Sequence, residues 1–274
     1  MIDAHQHFWD QTKFHYSWLS SSQPVLNRDY LPQDLEPLAK EAGVLKTVVV
    51  QALPSAAETR WLLNITSGND LVGGVVGWID LKSPSVGDEL NNLKKAPKLK
   101  GIRHQAEDEL DRQWILQKDV LNGLQKVAQA GLSFDALLKH DQLWQLKVVL
   151  GCCPQLRIVI DHAAKPDIRQ REFDSWAEDL KKASALPVMC KFSGLFTEAE
   201  HKSWTQSDIE PYYRHILNVF GPERVMFGSD WPVSTMASDY QRTIDVSFSL
   251  CSGLTVGQRE MIFHKNAQTF YKIE

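Results

Sequence analysis

Lys46-Thr47-Val48-Val49-Val50-Gln51-Ala52 is β-branched and apolar through its centre, with no alternation of apolar and polar positions. A strand covered on both faces reads this way, whereas a half-exposed strand alternates. Seven further short runs that read as buried strands lie at 1–7, 74–81, 99–105, 132–137, 156–161, 187–194 and 224–229, most of them near-continuous apolar stretches. Between and after them lie segments with helical period, at 33–42, 56–67, 85–95, 114–130, 141–150, 171–185, 207–220 and 237–251. The first follows Leu31-Pro32 and stops at Gly43, and the fourth stops at Gly131. Ser207-Asp208-Ile209-Glu210 has the pattern of a capping box, with Pro211 just inside the helix. Thr255-Val256-Gly257-Gln258 starts one more helix the same way, running towards Tyr271.

Strands that alternate with helices imply right-handed βαβ units and a parallel sheet. Eight such units in about 250 residues match a (β/α)8 barrel, the TIM barrel. An open doubly wound sheet usually carries a GxGxxG turn after a strand, and this chain has none. The expectation is therefore a TIM barrel with an extra C-terminal helix. With no linker or low-complexity stretch, residues 1–274 read as one domain.

The composition is that of an ordinary globular protein, 43% hydrophobic and 23% charged. A formal net charge of −4 gives no basic footprint for nucleic acid. No apolar run is long enough to span a membrane, and Met-Ile-Asp-Ala-His does not open like a secretory signal. The chain is expected to be cytoplasmic, and its oligomeric state is not legible. Cys152, Cys153, Cys190 and Cys251 form no CxxC pair, so they are expected to be reduced and to pack as small apolar groups.

In a barrel, reactive groups sit at the C-terminal ends of the strands. His5 and His7 are two apart at the end of the first strand, so both imidazoles project to one side. The later strand ends add Trp78 and Asp80; Arg103, His104 and Gln105; Asp135; Asp161 and His162; Lys191 and Ser193; and Ser229, Asp230 and Trp231. A lone histidine at a strand end is more often structural, and it is the convergence that marks a site. Asp230 suits a general base. His5, His7 and Asp230 suit a divalent metal, or the two imidazoles a substrate oxygen. Arg103 offers a forked cation for a carbonyl, hydroxyl or carboxylate, or else an ion pair closing the barrel interior. His162 can donate to an oxyanion or leaving oxygen. Lys191 either reaches substrate or neutralises buried acids such as Asp80 and Asp230. His15, His140, His201, His215 and His264 read as surface or packing residues. Residues 8–31 form a long loop with Trp9, Phe14, His15, Tyr16 and Trp18, which reads equally as a lid or pocket wall and as an apolar plug.

Five motifs in this order resemble the amidohydrolase superfamily. They are Asp3-Ala4-His5-Gln6-His7-Phe8-Trp9, Gly101-Ile102-Arg103-His104, Asp161-His162 with Lys165-Pro166, Lys191-Phe192-Ser193-Gly194-Leu195, and Gly228-Ser229-Asp230-Trp231-Pro232. The nearest branch is the sugar-lactonase group that includes L-fuconolactonase and L-rhamnonolactonase, which Asn266-Ala267 and Phe270-Tyr271 also fit. The resemblance implies a distorted (β/α)8 barrel that hydrolyses a sugar-acid lactone. In it Asp230 activates water, His5, His7 and His162 assist, and Arg103, His104, Trp9, Trp78, Trp231 and Lys191 contact substrate. It also implies one divalent metal, zinc foremost, on His5, His7 and Asp230, or metal-independent chemistry. The fifth strand lacks the histidine or lysine of a full metal site, which speaks against two ions. A nonoxidative decarboxylase of the same superfamily and a sugar-acid-binding protein without turnover are the alternatives.

Overall fold

The structure is a computed structural model that describes residues 1–20 and 22–274. Its eight strands are β1 (Ile2–Gln6), β2 (Lys46–Val50), β3 (Val72–Gly77), β4 (Leu99–Gln105), β5 (Ser133–Leu137), β6 (Arg157–Ile160), β7 (Met189–Phe192) and β8 (Val225–Phe227). They pair in parallel in chain order. The helices are α1 (Pro32–Glu41), α2 (Ala56–Thr66), α3 (Val86–Leu93), α4 (Lys118–Gln129), α5 (Gln145–Cys152), α6 (Asp174–Ser184), α7 (Leu195–Glu198), α8 (Gln206–Phe220), α9 (Tyr240–Leu250), α10 (Val256–Glu260) and α11 (Asn266–Tyr271). This is the TIM barrel that the alternation implies. No helix among the described residues is long and apolar enough to cross a membrane.

Several boundaries shift for local reasons. Strand β3 starts at Val72, before Gly73-Gly74, a pair of low strand propensity. Helix α6 starts at Asp174 because Arg171 has φ 58°, which no right-handed helix accepts. Helix α8 is capped two residues earlier than the Ser207 pattern suggests. The Asp208 carboxylate accepts from the Thr205 N–H and hydroxyl, both at 2.8 Å. The Thr255 box does form, with Gln258 Oε1 accepting from the Thr255 N–H at 2.9 Å. Helices α10 and α11 flank a single π-helical turn, Met261–Lys265.

The barrel closes without a regular β8–β1 ladder. Asp230 N–H donates to the His5 carbonyl (2.8 Å) and His7 N–H to the Trp231 carbonyl (2.7 Å). Below these, the Asp3 carboxylate stitches the seam. It accepts from the Ser229 N–H (2.8 Å), the Ser229 hydroxyl (2.6 Å), the Tyr240 hydroxyl (3.1 Å) and the His5 N–H (3.2 Å). Burial raises its pKa to about 6 even against those donors. Gly228 lies in the same seam, where a Cβ would stand 2.6 Å from the His5 Cβ.

The core has two layers. A large cluster fills the space between strands and helices. A smaller one, inside the barrel, joins Ile2, Ala4, Val48, Val50, Val76, Val159 and Met226 to Ala267, Phe270, Tyr271 and Ile273. The C-terminal helix thus plugs the barrel from beneath. In the long 8–31 loop, Trp9 packs edge-on against Trp18 and Tyr30, and Tyr30 against Trp231. The aromatic rings of that loop form an apolar cluster while much of the rest of it is exposed, and Trp18 is its contribution to the pocket wall; Ser21 lies outside the described residues. The four cysteines are free thiols, of which Cys152 is exposed rather than packed.

Glu58 on α2 turns back to accept from the N–H groups of Ala52 (3.1 Å) and Leu53 (2.9 Å). It thereby fixes the β2–α2 loop, whose Ala52 carbonyl accepts from Trp18 Nε1 at 2.9 Å. Complete burial lifts Glu58 from 4.5 to about 7, outweighing the hydrogen bonds that oppose it.

Two predictions concern this framework. The folded protein holds the Glu58 proton more tightly than the unfolded chain does. Its contribution is therefore greatest below pH 4.5 and declines as pH rises through about 7. Urea denaturation should show Glu58→Gln gaining about 3 kcal/mol relative to wild type across that window. A stability gap that does not move with pH would mean the carboxyl is not so shifted. Gly228→Ala should lower stability by about 1–3 kcal/mol, because the added methyl forces the seam apart. An unchanged urea midpoint would show that the seam yields freely.

Candidate active site

Strand alternation sets which groups meet at the barrel mouth. Arg103, Asp135 and Lys191 point inward from β4, β5 and β7, and Asp161 follows directly on β6. Lys191 Nζ sits at their centre, 2.6 Å from Asp135 Oδ2, 3.0 Å from Asp161 Oδ1 and 3.1 Å from His5 Nδ1. Arg103 Nη1 lies 3.5 Å from Asp161 Oδ2 and 3.4 Å from His5 Nε2, and its Nη2 donates to the Gln51 carbonyl. Tyr271, from α11, donates to Asp135 at 2.6 Å. All of these groups are buried. Two carboxylates and two cations balance one another there. Burial raises Asp135, whereas Lys191, His5 and Arg103 overcome burial at Asp161 and hold it well below the usual carboxylate range.

Above this layer the two paired histidines meet. His5 Nε2 and His7 Nε2 are 3.2 Å apart. Asp230 Oδ1 lies 3.3 Å from His7 Nε2 and 3.7 Å from His5 Nε2. His7 Nδ1 donates to the Val50 carbonyl at 2.8 Å, which leaves Nε2 as the ring atom available to a metal. Nε2 and the Asp230 carboxylate oxygen face each other, and a cation between them would satisfy both. Donors about 2.0–2.2 Å from a tetrahedral ion stand roughly 3.3–3.5 Å apart, so this set fits zinc. His5, His7 and Asp230 therefore form a group that can hold a metal ion. Asp135, the acidic residue on the fifth strand, lies beneath them and is taken by Lys191 and Tyr271.

Asp230 and His162 both sit on left-handed backbone, at φ 59° and 52°. Ala163, Ala164 and Lys165 continue the left-handed run. Each such residue costs about 1–2 kcal/mol. The turn is held by the Trp176 indole N–H donating to the Ala163 carbonyl (2.7 Å) and by Lys165 N–H to the His162 carbonyl (2.9 Å). Gly194 packs under the imidazole, where a Cβ would stand 2.4 Å from His162 Nδ1. The Ser193 hydroxyl bonds that nitrogen at 3.0 Å, and His162 Nε2 lies 4.0 Å from Asp230 Oδ1. Burial pushes His5 well below the ordinary histidine pKa and also lowers His162. Burial alone would raise Asp230, but His162, His7 and His5 outweigh it and keep the carboxylate ionised.

Over these groups opens a pocket of about 390 Å³, at the small end for ligand sites. His7, Arg103, His162 and Asp230 form its floor. The other expected substrate contacts lie elsewhere. His104 points away from Arg103, as adjacent strand residues must. It accepts from Trp78 Nε1 (3.0 Å), donates to Glu109 (2.7 Å) and stacks on Trp114 at 3.7 Å. Trp9 and Trp231 are spent in the aromatic cluster, and Lys191 in the buried ion layer, where it neutralises Asp135 and Asp161 rather than Asp80 or Asp230. The walls instead use Trp18, Gln105, Asp108, Lys165, Arg169, Thr197, Glu198 and His201. His201 is thus a pocket residue, not merely a surface one. Of these wall residues only Lys165 stands in one of the five motifs, and its left-handed placement has no glycine to announce it.

Comparisons with known proteins agree with this architecture. A family model described as Amidohydrolase matches residues 2–273. The chain is 39% identical over 279 residues to an L-fucono-1,5-lactonase of Burkholderia ambifaria, covering 100% of this chain and 96% of that protein. It is 35% identical over 253 residues to an L-fucono-1,5-lactonase of Burkholderia multivorans, covering 87% and 84%. A crystal structure of a Burkholderia multivorans amidohydrolase with bound zinc matches at a TM-score of 0.94 and 32% identity, covering 100% of this chain and 99% of that one. With the family model spanning nearly every residue and the barrel superposing end to end, the chain belongs to the amidohydrolase family.

Proposed function

We propose that this chain hydrolyses the ester bond of a sugar-acid lactone, of the L-fucono-1,5-lactone kind, with Asp230 as general base. The observation that carries the reading is Asp230 itself. It is an ionised carboxylate on strained backbone at the floor of a small pocket, ringed by His5, His7 and His162, with Arg103 alongside. Strain of this kind clusters at functional sites. Two relatives named for lactone hydrolysis support the substrate class.

The residues divide the work as follows. Asp230 takes a proton from a water molecule as its oxygen bonds to the lactone carbonyl carbon. The carbonyl oxygen then carries negative charge, opposite the Arg103 guanidinium and the His162 ring. Collapse breaks the bond from that carbon to the ring oxygen. The Asp230 carboxyl returns its proton to the departing alkoxide, leaving an open-chain hydroxy acid. His5, His7 and Asp230 would hold a zinc ion, which would supply Lewis acidity towards the carbonyl oxygen. The buried layer of Lys191, Asp135 and Asp161 touches no substrate; it holds His5 and Arg103 in place. A lactone is an activated ester, so the barrier to be lowered is modest.

Acid release from a panel of sugar lactones, with L-fucono-1,5-lactone foremost, should show turnover. Asp230→Asn should lower kcat by about 10²- to 10⁴-fold, with the urea midpoint nearly unchanged. Near-normal hydrolysis by that variant would remove Asp230 from the base role. CO₂ release from aromatic acids, or tight lactone binding without turnover, would replace the reading. Metal analysis after zinc reconstitution should find about one ion per chain, and His7→Asn should lose it. Equal zinc in both proteins would place the ion elsewhere.

A further inference from the structure

The outer half of the pocket is built from the loops after β6 and β7, and nearly all its polar groups are already engaged. The Lys165 ammonium is bonded to Glu107. Arg169 donates to the Ala199 carbonyl at 3.3 Å and lies 3.7 Å from Glu200. His201 Nε2 donates to the Thr197 carbonyl at 2.9 Å, and the Thr197 hydroxyl donates to the Gly194 carbonyl at 2.6 Å. Glu198 is the exception among the half-buried groups; Asp108, on the β4 side of the wall, is also without a partner but is exposed. Among the described residues the Glu198 carboxylate makes neither a hydrogen bond nor an ion pair, although it lines the pocket and is half-buried. Burial raises its pKa, with the nearby Lys165 charge opposing. Its backbone is not free to move the group aside, because the Glu198 carbonyl accepts from the Arg169 N–H at 3.0 Å.

An unpaired carboxylate is an acceptor only, with two oxygens that call for O–H or N–H donors. Its oxygens open onto the pocket, where donors of a bound ring can replace solvent. An apolar lactone ring gives it nothing, whereas adjacent ring hydroxyls give two donors. The pocket's charge points the same way. Arg103, Lys165 and Arg169 are matched by Asp108, Glu198 and Asp230, so the lining is neutral overall. A site for a dicarboxylate would carry an excess of cations. Resting on the lactonase reading above, we infer that Glu198 is a specificity residue that binds hydroxyls of an uncharged polyhydroxylated lactone ring.

The test compares wild type, Glu198→Ala and Glu198→Gln on L-fucono-1,5-lactone and on unsubstituted δ-valerolactone. For the sugar lactone, kcat/KM should fall about 10- to 100-fold in Glu198→Ala, mostly through KM. For δ-valerolactone it should stay within about twofold, since no hydroxyl contact is lost. Glu198→Gln, which keeps one acceptor, should recover part of the loss. Equal falls on both lactones, or no change on either, would overturn the assignment. Calorimetric titration with 1,5-anhydro-L-fucitol, a ring with hydroxyls and no carbonyl, separates this inference from the hydrolytic one. Weaker binding by Glu198→Ala than by wild type supports the hydroxyl role even if neither lactone is opened. Equal binding overturns that role even if both are.

Discussion

The ammonium of Lys191, buried between Asp135 and Asp161, is the contact on which the rest of this molecule depends. Two carboxylates inside a barrel would repel each other and drive their own protonation. One lysine set 2.6 and 3.0 Å from them, with Arg103 beside Asp161, lets the layer stay charged and packed. Such a layer does not add much net stability, since burying ions is costly. What it provides is position. Lys191 also contacts His5 Nδ1, and Arg103 contacts His5 Nε2, so both faces of that imidazole are defined by the same charges that neutralise the acids. The C-terminal helix joins in through Tyr271, so the floor of the site is held from below by the last turn of the chain.

A second constraint acts at the seam between the first and last strands. A regular ladder there would continue the strand geometry and point alternate residues at fixed faces. Instead Asp3 draws the Ser229 N–H and hydroxyl to itself, and the chain turns left-handed at Asp230. That turn brings the carboxylate back over His5 and His7. Seam and site are therefore one structure, and the crowding at Gly228 follows from it. The same device recurs after β6, where a left-handed run aims His162 at Asp230 from the opposite side. Two strained turns converge on one oxygen, which is hard to account for by folding needs alone.

Most of the barrel is legible because strands buried on both faces leave near-continuous apolar runs, as most of the eight do, the polar breaks falling largely where strands reach the site. The convergence of His5, His7, Arg103, His162 and Asp230 is legible for a related reason: barrel topology sends every strand end to one mouth. What is not legible is direction beyond the last ladder residue. Trp78 follows β3 and donates to His104, a partner no spacing rule indicates. Trp9 and Trp231 lie beside chemical motifs in sequence, yet their rings are drawn into an apolar cluster because burying a large aromatic is worth more there than lining a wet pocket. Alternation does separate Arg103 from His104, so that distinction was available from the strand itself. The outer wall was not, because Lys165 reaches it through Ala-Ala-Lys in left-handed conformation, which those side chains disfavour.

These constraints also explain how the inner and outer halves of the pocket divide their tasks. The inner half is rigid because each charged group has a fixed partner, and a rigid array of dipoles and charges is what stabilises a developing oxyanion without reorganising. The outer half sits on short loops and on α7, a single helical turn, where changes of side chain do not disturb the ion layer. A family built this way can hold its bond-breaking chemistry constant while the loops after β6 and β7 change which ring they accept. In this chain those loops bring Lys165, Arg169 and Glu198 to the pocket, Arg103, Asp108 and Asp230 complete a lining of equal and opposite charges, and a neutral, hydroxyl-rich ring would fit such a lining better than an anionic one.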